Sequence, residues 1–62
     1  MEEERIKFMK IFSNIPEKIR KEDILVVIDN EPYTWNVAYF EIKNKSEVGG
    51  KILKKLKELG II

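Results

Sequence analysis

The sequence predicts a small α+β domain in which helices pack on a short β-hairpin, in the order α-α-β-β-α-α. Three observations carry that expectation. A continuous, largely β-branched run, Ile24-Leu25-Val26-Val27-Ile28, is followed by the turn residues Asp29-Asn30-Glu31. Apolar residues recur at helical spacing on both sides of that pair. Thr34 and Ser46, both good helix caps, stand in front of the last two periodic stretches.

Residues 1–12 carry Ile6, Phe8, Met9, Ile11 and Phe12, whose 8/11/12/15 and 6/9 spacings describe a helix with a wide buried face. A strand also fits the local alternation, but Glu2, Glu3 and Glu4 complement a helix dipole and favour the helix. Ser13-Asn14-Ile15-Pro16 interrupts it, since proline biases the preceding residue away from helical geometry. Pro16 then opens a short second helix over residues 17–21, a connector anchored by Ile19.

Residues 24–28 form the first strand, and a run apolar at every position predicts cover on both faces. Asp and Asn tolerate left-handed backbone, so the chain folds back over Asp29-Asn30. Pro32-Tyr33-Thr34 returns as a partner strand at a sheet edge, because Pro32 has no N–H to donate. Thr34 caps a third helix, residues 35–43. Its stripe of Trp35, Ala38, Tyr39 and Ile42 is widened by Val37 and Phe40, which places it at the centre and largely buried. Asn44 closes it in left-handed geometry.

Ser46 caps a fourth helix, residues 47–59, with Val48, Ile52, Leu53, Leu56 and Leu59 on one stripe and Gly60 as its stop. Ile61 and Ile62 are expected to be buried, with a strand fragment against residues 24–28 as one arrangement for them. The expected core is Phe8, Phe12, Leu25, Val27, Trp35, Ala38, Tyr39, Ile42, Ile52, Leu53, Leu56 and Leu59.

The chain forms a single small domain, residues 1–62, of a size that buries only about 60 % of its unfolded surface. Chains this short lean on a disulfide, a metal, a partner subunit or very tight packing. Cysteine and histidine are absent, which removes disulfides and the usual zinc ligands and leaves packing or association. A homodimer is the expected assembly. Lysine and glutamate abound while glutamine is missing, a hyperthermophile-like composition. A net charge of +1 supplies no global field towards nucleic acid or acidic membranes. No apolar run approaches the roughly 18 residues of a membrane span, and the acidic opening is the reverse of a signal peptide's basic start. The expectation is a soluble cytoplasmic protein with no membrane partner.

The same inventory argues against catalysis. The commonest general acid/base and the strongest nucleophile are missing. Ser13 and Ser46 read as turn and cap residues, and the lysines fall on polar faces. Asp29-Asn30-Glu31 is too short a loop for the six to eight oxygens calcium takes. Gly49-Gly50 lacks the flanking pattern of a phosphate loop. No enzyme, metal site or cofactor is expected.

The glycine pair is odd all the same, because each glycine costs a helix about 1 kcal/mol relative to alanine. Close approach to another surface, the third helix or a partner's backbone, explains it best. Lys51, Lys54, Lys55 and Lys57 line the outer side of the same helix.

A capped helix, a polar turn, a second capped helix and then Leu56-Lys57-Glu58-Leu59-Gly60-Ile61-Ile62 occupy residues 34–62. This stretch resembles the helix-turn-helix core of winged-helix DNA-binding domains, whose recognition helix ends in a similar Leu-x-x-Leu-Gly-hydrophobic pattern. The resemblance implies that Ser46 caps a recognition helix. It also implies that Gly49, Gly50, Lys51, Lys54 and Lys55 face the groove or phosphates of double-stranded DNA. The predicted hairpin precedes the two helices, whereas the family's wing follows them. The fourth helix has no arginine, asparagine or glutamine to read base edges, so such binding would be phosphate-driven and salt-sensitive.

Two functions are therefore expected. One is a non-catalytic assembly module that associates with itself or with an unidentified protein partner, using Tyr33, Trp35, Gly49, Gly50, Ile61 and Ile62 as contact positions. The alternative is a nucleic-acid-binding domain that uses Lys51, Lys54, Lys55 and Lys57.

Overall fold

Residues 2–62 are described by the computed structural model, and Met1, the first position of the expected N-terminal helix, lies outside the described residues. The elements are α1 (Glu2–Ser13), α2 (Glu17–Glu22), β1 (Ile24–Ile28), β2 (Glu31–Thr34), α3 (Trp35–Lys43) and α4 (Glu47–Glu58), an α+β fold in the expected order.

The first helix buries Phe8 and Phe12. These start an aromatic row: Trp35 stacks on Phe8 with centroids 6.1 Å apart, Phe8 meets Phe12 at 5.9 Å, and Phe12 stacks on Tyr39 at 4.4 Å. Offset ring contacts at these separations add stabilisation beyond buried area. They tie α1 to α3 along its length. The turn after α1 is closed by Asn14 and Ile15 N–H groups donating to the Ile11 and Phe12 carbonyls, both at 3.0 Å.

Strands β1 and β2 pair antiparallel around the two-residue turn Asp29-Asn30, whose φ values of 50° and 70° are both left-handed. That is the backbone hand a tight hairpin needs, and Asp and Asn are the non-glycine residues that supply it most cheaply. Pro32 sits opposite Val27.

The buried face of β1 differs from the expected one. Val26 and Ile28 point into the core, Leu25 is half-buried, and Val27 and Ile24 lie in the open at 55 % and 52 % exposure. Only one face of the hairpin is covered, so the continuous apolar run did not mark a two-sided strand. Ile24 pairs with Thr34 while Val26 pairs with Tyr33, leaving Leu25 as the extra residue of a β-bulge. Side chains alternate strictly along a strand, so choosing the wrong phase exchanges the whole inner and outer sets. Tyr33, which packs on the core, fixes the phase through its partner Val26.

Helix α3 touches every other element and is central, as its apolar sequence predicts. It buries Ala38 and Ile42, while Trp35 and Tyr39 pack against the core from its margin. Val37 and Phe40 do not widen the buried stripe. Phe40 lies about 200° around the helix from Ala38, and it is 61 % exposed. Asn44 does not close α3 in left-handed geometry either: its φ is −84°, and the left-handed residue is Lys45, one position later, at 54°.

The α4 stripe of Ile52, Leu53 and Leu56 completes the core. Leu59, expected there, is the C-cap residue and is 58 % exposed, because the stripe outruns the layer it packs on. Gly60, at φ 77°, makes the expected stop. The Ile61 N–H donates to the Leu56 carbonyl at 2.9 Å and the Gly60 N–H to Lys57 at 3.1 Å. These two bonds satisfy the helix's last carbonyls. The two isoleucines therefore follow α4 as a cap and not as a strand against β1: Ile62 packs on the core, and Ile61 is exposed.

Candidate functional site

The α3–α4 corner gathers most of the residues singled out by sequence. Lys45 and Ser46 N–H groups donate to the Ile42 and Glu41 carbonyls, each at 3.1 Å, so α3 ends in the same double-bonded cap as α4. Ser46 then begins the next helix: its Oγ accepts the Gly49 N–H at 3.0 Å and donates to a Glu41 carboxylate oxygen at 2.6 Å. One serine thus ends one helix and starts another, and the turn has almost no slack. Gly49 sits where the helices are closest. A Cβ there would stand 2.4 Å from the Glu41 carbonyl oxygen and 3.0 Å from the Ile42 nitrogen. The close approach anticipated for the glycine pair is made at Gly49, to α3; at Gly50 a Cβ would meet nothing within 4 Å.

The α4 lysines divide into two kinds. Lys51 Nζ lies 2.9 Å from an Asp29 carboxylate oxygen at the hairpin turn, and the bond holds the ammonium pKa above its ordinary value. Lys57 Nζ lies 3.1 Å from Glu4 of α1 and, through that hydrogen bond first, holds the Glu4 carboxyl below its ordinary value. Lys54 and Lys55 are exposed, and no ion pair involves them among the described residues. Glu47 and Glu58 share this outer surface, so it is mixed in sign and not a continuous basic stripe.

Of the other singled-out positions, Tyr33 and Trp35 are half-buried in the chain's own packing, Gly49 is committed to α3, and Ile62 joins the core margin. Gly50 and Ile61 are left with outward-facing surface. Gly50 lines an open recess of about 450 Å³ between the starts of α1 and α4, with Arg5, Glu2 and Lys45 at its rim and Ile42 and Leu53 among its walls. Arg5 is ion-paired with Glu2, which offsets half of the recess's positive charge.

Sequence reasoning missed Arg20. Ile19 was the expected anchor of α2, but it is partly exposed, and the half-buried Arg20 does the docking. Its guanidinium carbon lies 4.7 Å from the Phe12 ring centroid, and its Nε is buried with no hydrogen-bond partner among the described residues. The only signal in the sequence was an arginine among lysines, since arginine stacks on rings where lysine stays hydrated.

Among the described residues no group of three His, Cys, Asp or Glu side chains is placed to hold a metal ion. No helix is long and apolar enough to cross a membrane. The chain matches no protein-family model, no curated protein and no solved structure.

Proposed function

We propose that this chain is a non-catalytic assembly module that associates with itself. The observation that carries the reading is the amount of large apolar side chain left in the open on so small a body. Phe40, Leu59, Val27 and Ile24 are each more than half exposed, and Ile6, Val37 and Ile61 are not far below. A chain of this size has little core to spare for stability. On so short a chain, covering part of this apolar surface with a second copy adds burial that the core alone does not supply. Sedimentation over a wide concentration range tests it. The expected result is a species of twice the 7.4 kDa chain mass that dissociates on dilution. A single 7.4 kDa species at every concentration removes the reading.

A second reading, binding to duplex DNA through α4, is favoured by Lys54 and Lys55, which stand without ion pairs on the outer face of the second helix of a tight helix-turn-helix corner. It requires affinity that falls steeply with salt and that drops further when Lys54 and Lys55 become glutamate. Titration of duplex DNA at two salt concentrations separates the two readings.

A further inference from the structure

We propose that two copies of this chain join edge to edge through β1, Val27 of each copy exchanging backbone hydrogen bonds with Val27 of the other to make a four-stranded sheet. This rests on the self-association reading and names its surface.

The phase of the hairpin sets the edge. In a two-residue hairpin the residues flanking the turn form a hydrogen-bonded pair, here Ile28 and Glu31, and the alternation of the ladder makes Val26 and Tyr33 the next such pair. The intervening pair, Val27 and Pro32, is therefore the non-bonded one, and the N–H and C=O of Val27 point away from β2. No backbone or side-chain group among the described residues takes them up.

The two edges of this sheet are not alike. On β2 the outward position is Pro32, which has no N–H, and Glu31 sits beside it. Proline and charge are how sheet edges are kept from pairing. β1 has neither in its five residues, and the bulge at Leu25 leaves Val26–Ile28 regular. A two-stranded sheet is marginal in water, so added strands stabilise it. Antiparallel pairing about Val27 places that exposed side chain directly beside its counterpart, a favourable β-branched pair.

A second copy fits this edge better than another strand because of the charges at its ends. Asp23 precedes β1, and no ion pair involves it among the described residues. Lys51, held at the other end by Asp29, is about half exposed and keeps N–H groups to spare. Antiparallel pairing brings the Asp23 end of each strand to the Asp29–Lys51 end of the other. The spare N–H groups of Lys51 then bridge its own Asp29 and the Asp23 of the other copy, and a two-fold pair makes that contact twice.

Three variants and one direct measurement test this. Val27→Lys, at an exposed side chain that leaves the fold intact, is expected to weaken dimerisation about tenfold or more. Asp23→Lys and Lys51→Glu are each expected to dimerise poorly, while an equimolar mixture of the two recovers a heterodimer, since one contact is then the native acid–base pair and the other its charge-reversed equivalent. In the unaltered chain, hydrogen exchange at the Val27 amide should slow as concentration rises. A dimer that Val27→Lys leaves unchanged, with Val27 exchange independent of concentration, overturns the β1 edge and leaves self-association standing through another surface. A chain that is monomeric at all concentrations overturns both, including the case in which another protein's strand takes the edge.

Discussion

Gly49 of α4 lies against the Glu41 carbonyl of α3 so closely that a Cβ would come within 2.4 Å of that oxygen. The obstacle is backbone, which cannot rotate away as a side-chain end does. The same Glu41 carbonyl accepts the Ser46 N–H at 3.1 Å, and the Glu41 carboxylate accepts the Ser46 hydroxyl at 2.6 Å. The contact between the two helices is thus locked by three residues within nine positions of chain.

Gly49→Ala and Gly50→Ala should have opposite signs although they are adjacent. Alanine at Gly50 meets nothing within 4 Å, so the helix gains its propensity, up to about 1 kcal/mol. Alanine at Gly49 forces α3 and α4 apart, an overpacking cost of about 1–3 kcal/mol that exceeds the same propensity gain. Urea unfolding of the two variants measures both. Equal stabilisation by both substitutions would mean that the helices are not in this contact.

Lys45→Gly should stabilise the domain. Lys45 occupies the left-handed position of the α3 cap at φ 54°, where glycine escapes a steric cost of about 1 kcal/mol. The gain is reduced by the extra freedom glycine gives the unfolded chain, so a rise of several tenths of a kcal/mol is expected. Its Nζ enters no hydrogen bond or ion pair among the described residues, so no contact is lost to offset it. Thermal unfolding at neutral pH checks the sign.

Much of this fold was legible because local chemistry and global packing agree. Thr34 and Ser46 do cap helices, accepting the Val37 and Gly49 N–H groups, and Gly60 does stop one. The failures fall where one sequence pattern admits two solutions. A run of five apolar residues does not state which of its two faces is inside; only the partner strand does, through Tyr33 opposite Val26. A helix apolar almost all round does not state that its neighbours cover a single side, and Phe40 lies on the open side. Of the candidate site, Gly49's close approach was readable from its cost. The pairing of Lys51 with Asp29, 22 positions away, and of Lys57 with Glu4, 53 away, depends on tertiary placement that periodicity does not encode.

Arg20→Met should be close to neutral and Arg20→Ala destabilising. The Arg20 Nε is buried without a partner, a cost that methionine removes while it keeps a long side chain on the Phe12 ring. Alanine gives up the stacking and the covering of Phe12, on the order of 1 kcal/mol from the cation–π contact alone and more from packing. Equilibrium unfolding compares the two. A methionine variant as weak as the alanine one would mean that the guanidinium charge, and not the covering of the ring, holds α2 in place.

The Glu4–Lys57 pair should give the domain an acid-sensitive increment of stability. The hydrogen bond from Lys57 lowers the Glu4 carboxyl pKa from its ordinary 4.5, so the folded state binds that proton less readily than the unfolded one. The increment is then fully present above the ordinary value and is lost as pH falls through the lowered one. Lys57→Met, which keeps the alkyl stem and removes the charge, isolates it. The variant should melt below the parent chain at neutral pH, and the gap should narrow progressively as the pH is lowered through the acid range in which Glu4 takes up its proton. Added salt should narrow the neutral-pH gap, because the Lys57 end of the pair is open to solvent. A gap that persists unchanged at low pH would trace the loss to packing of the lysine stem, and the pair would contribute nothing of its own.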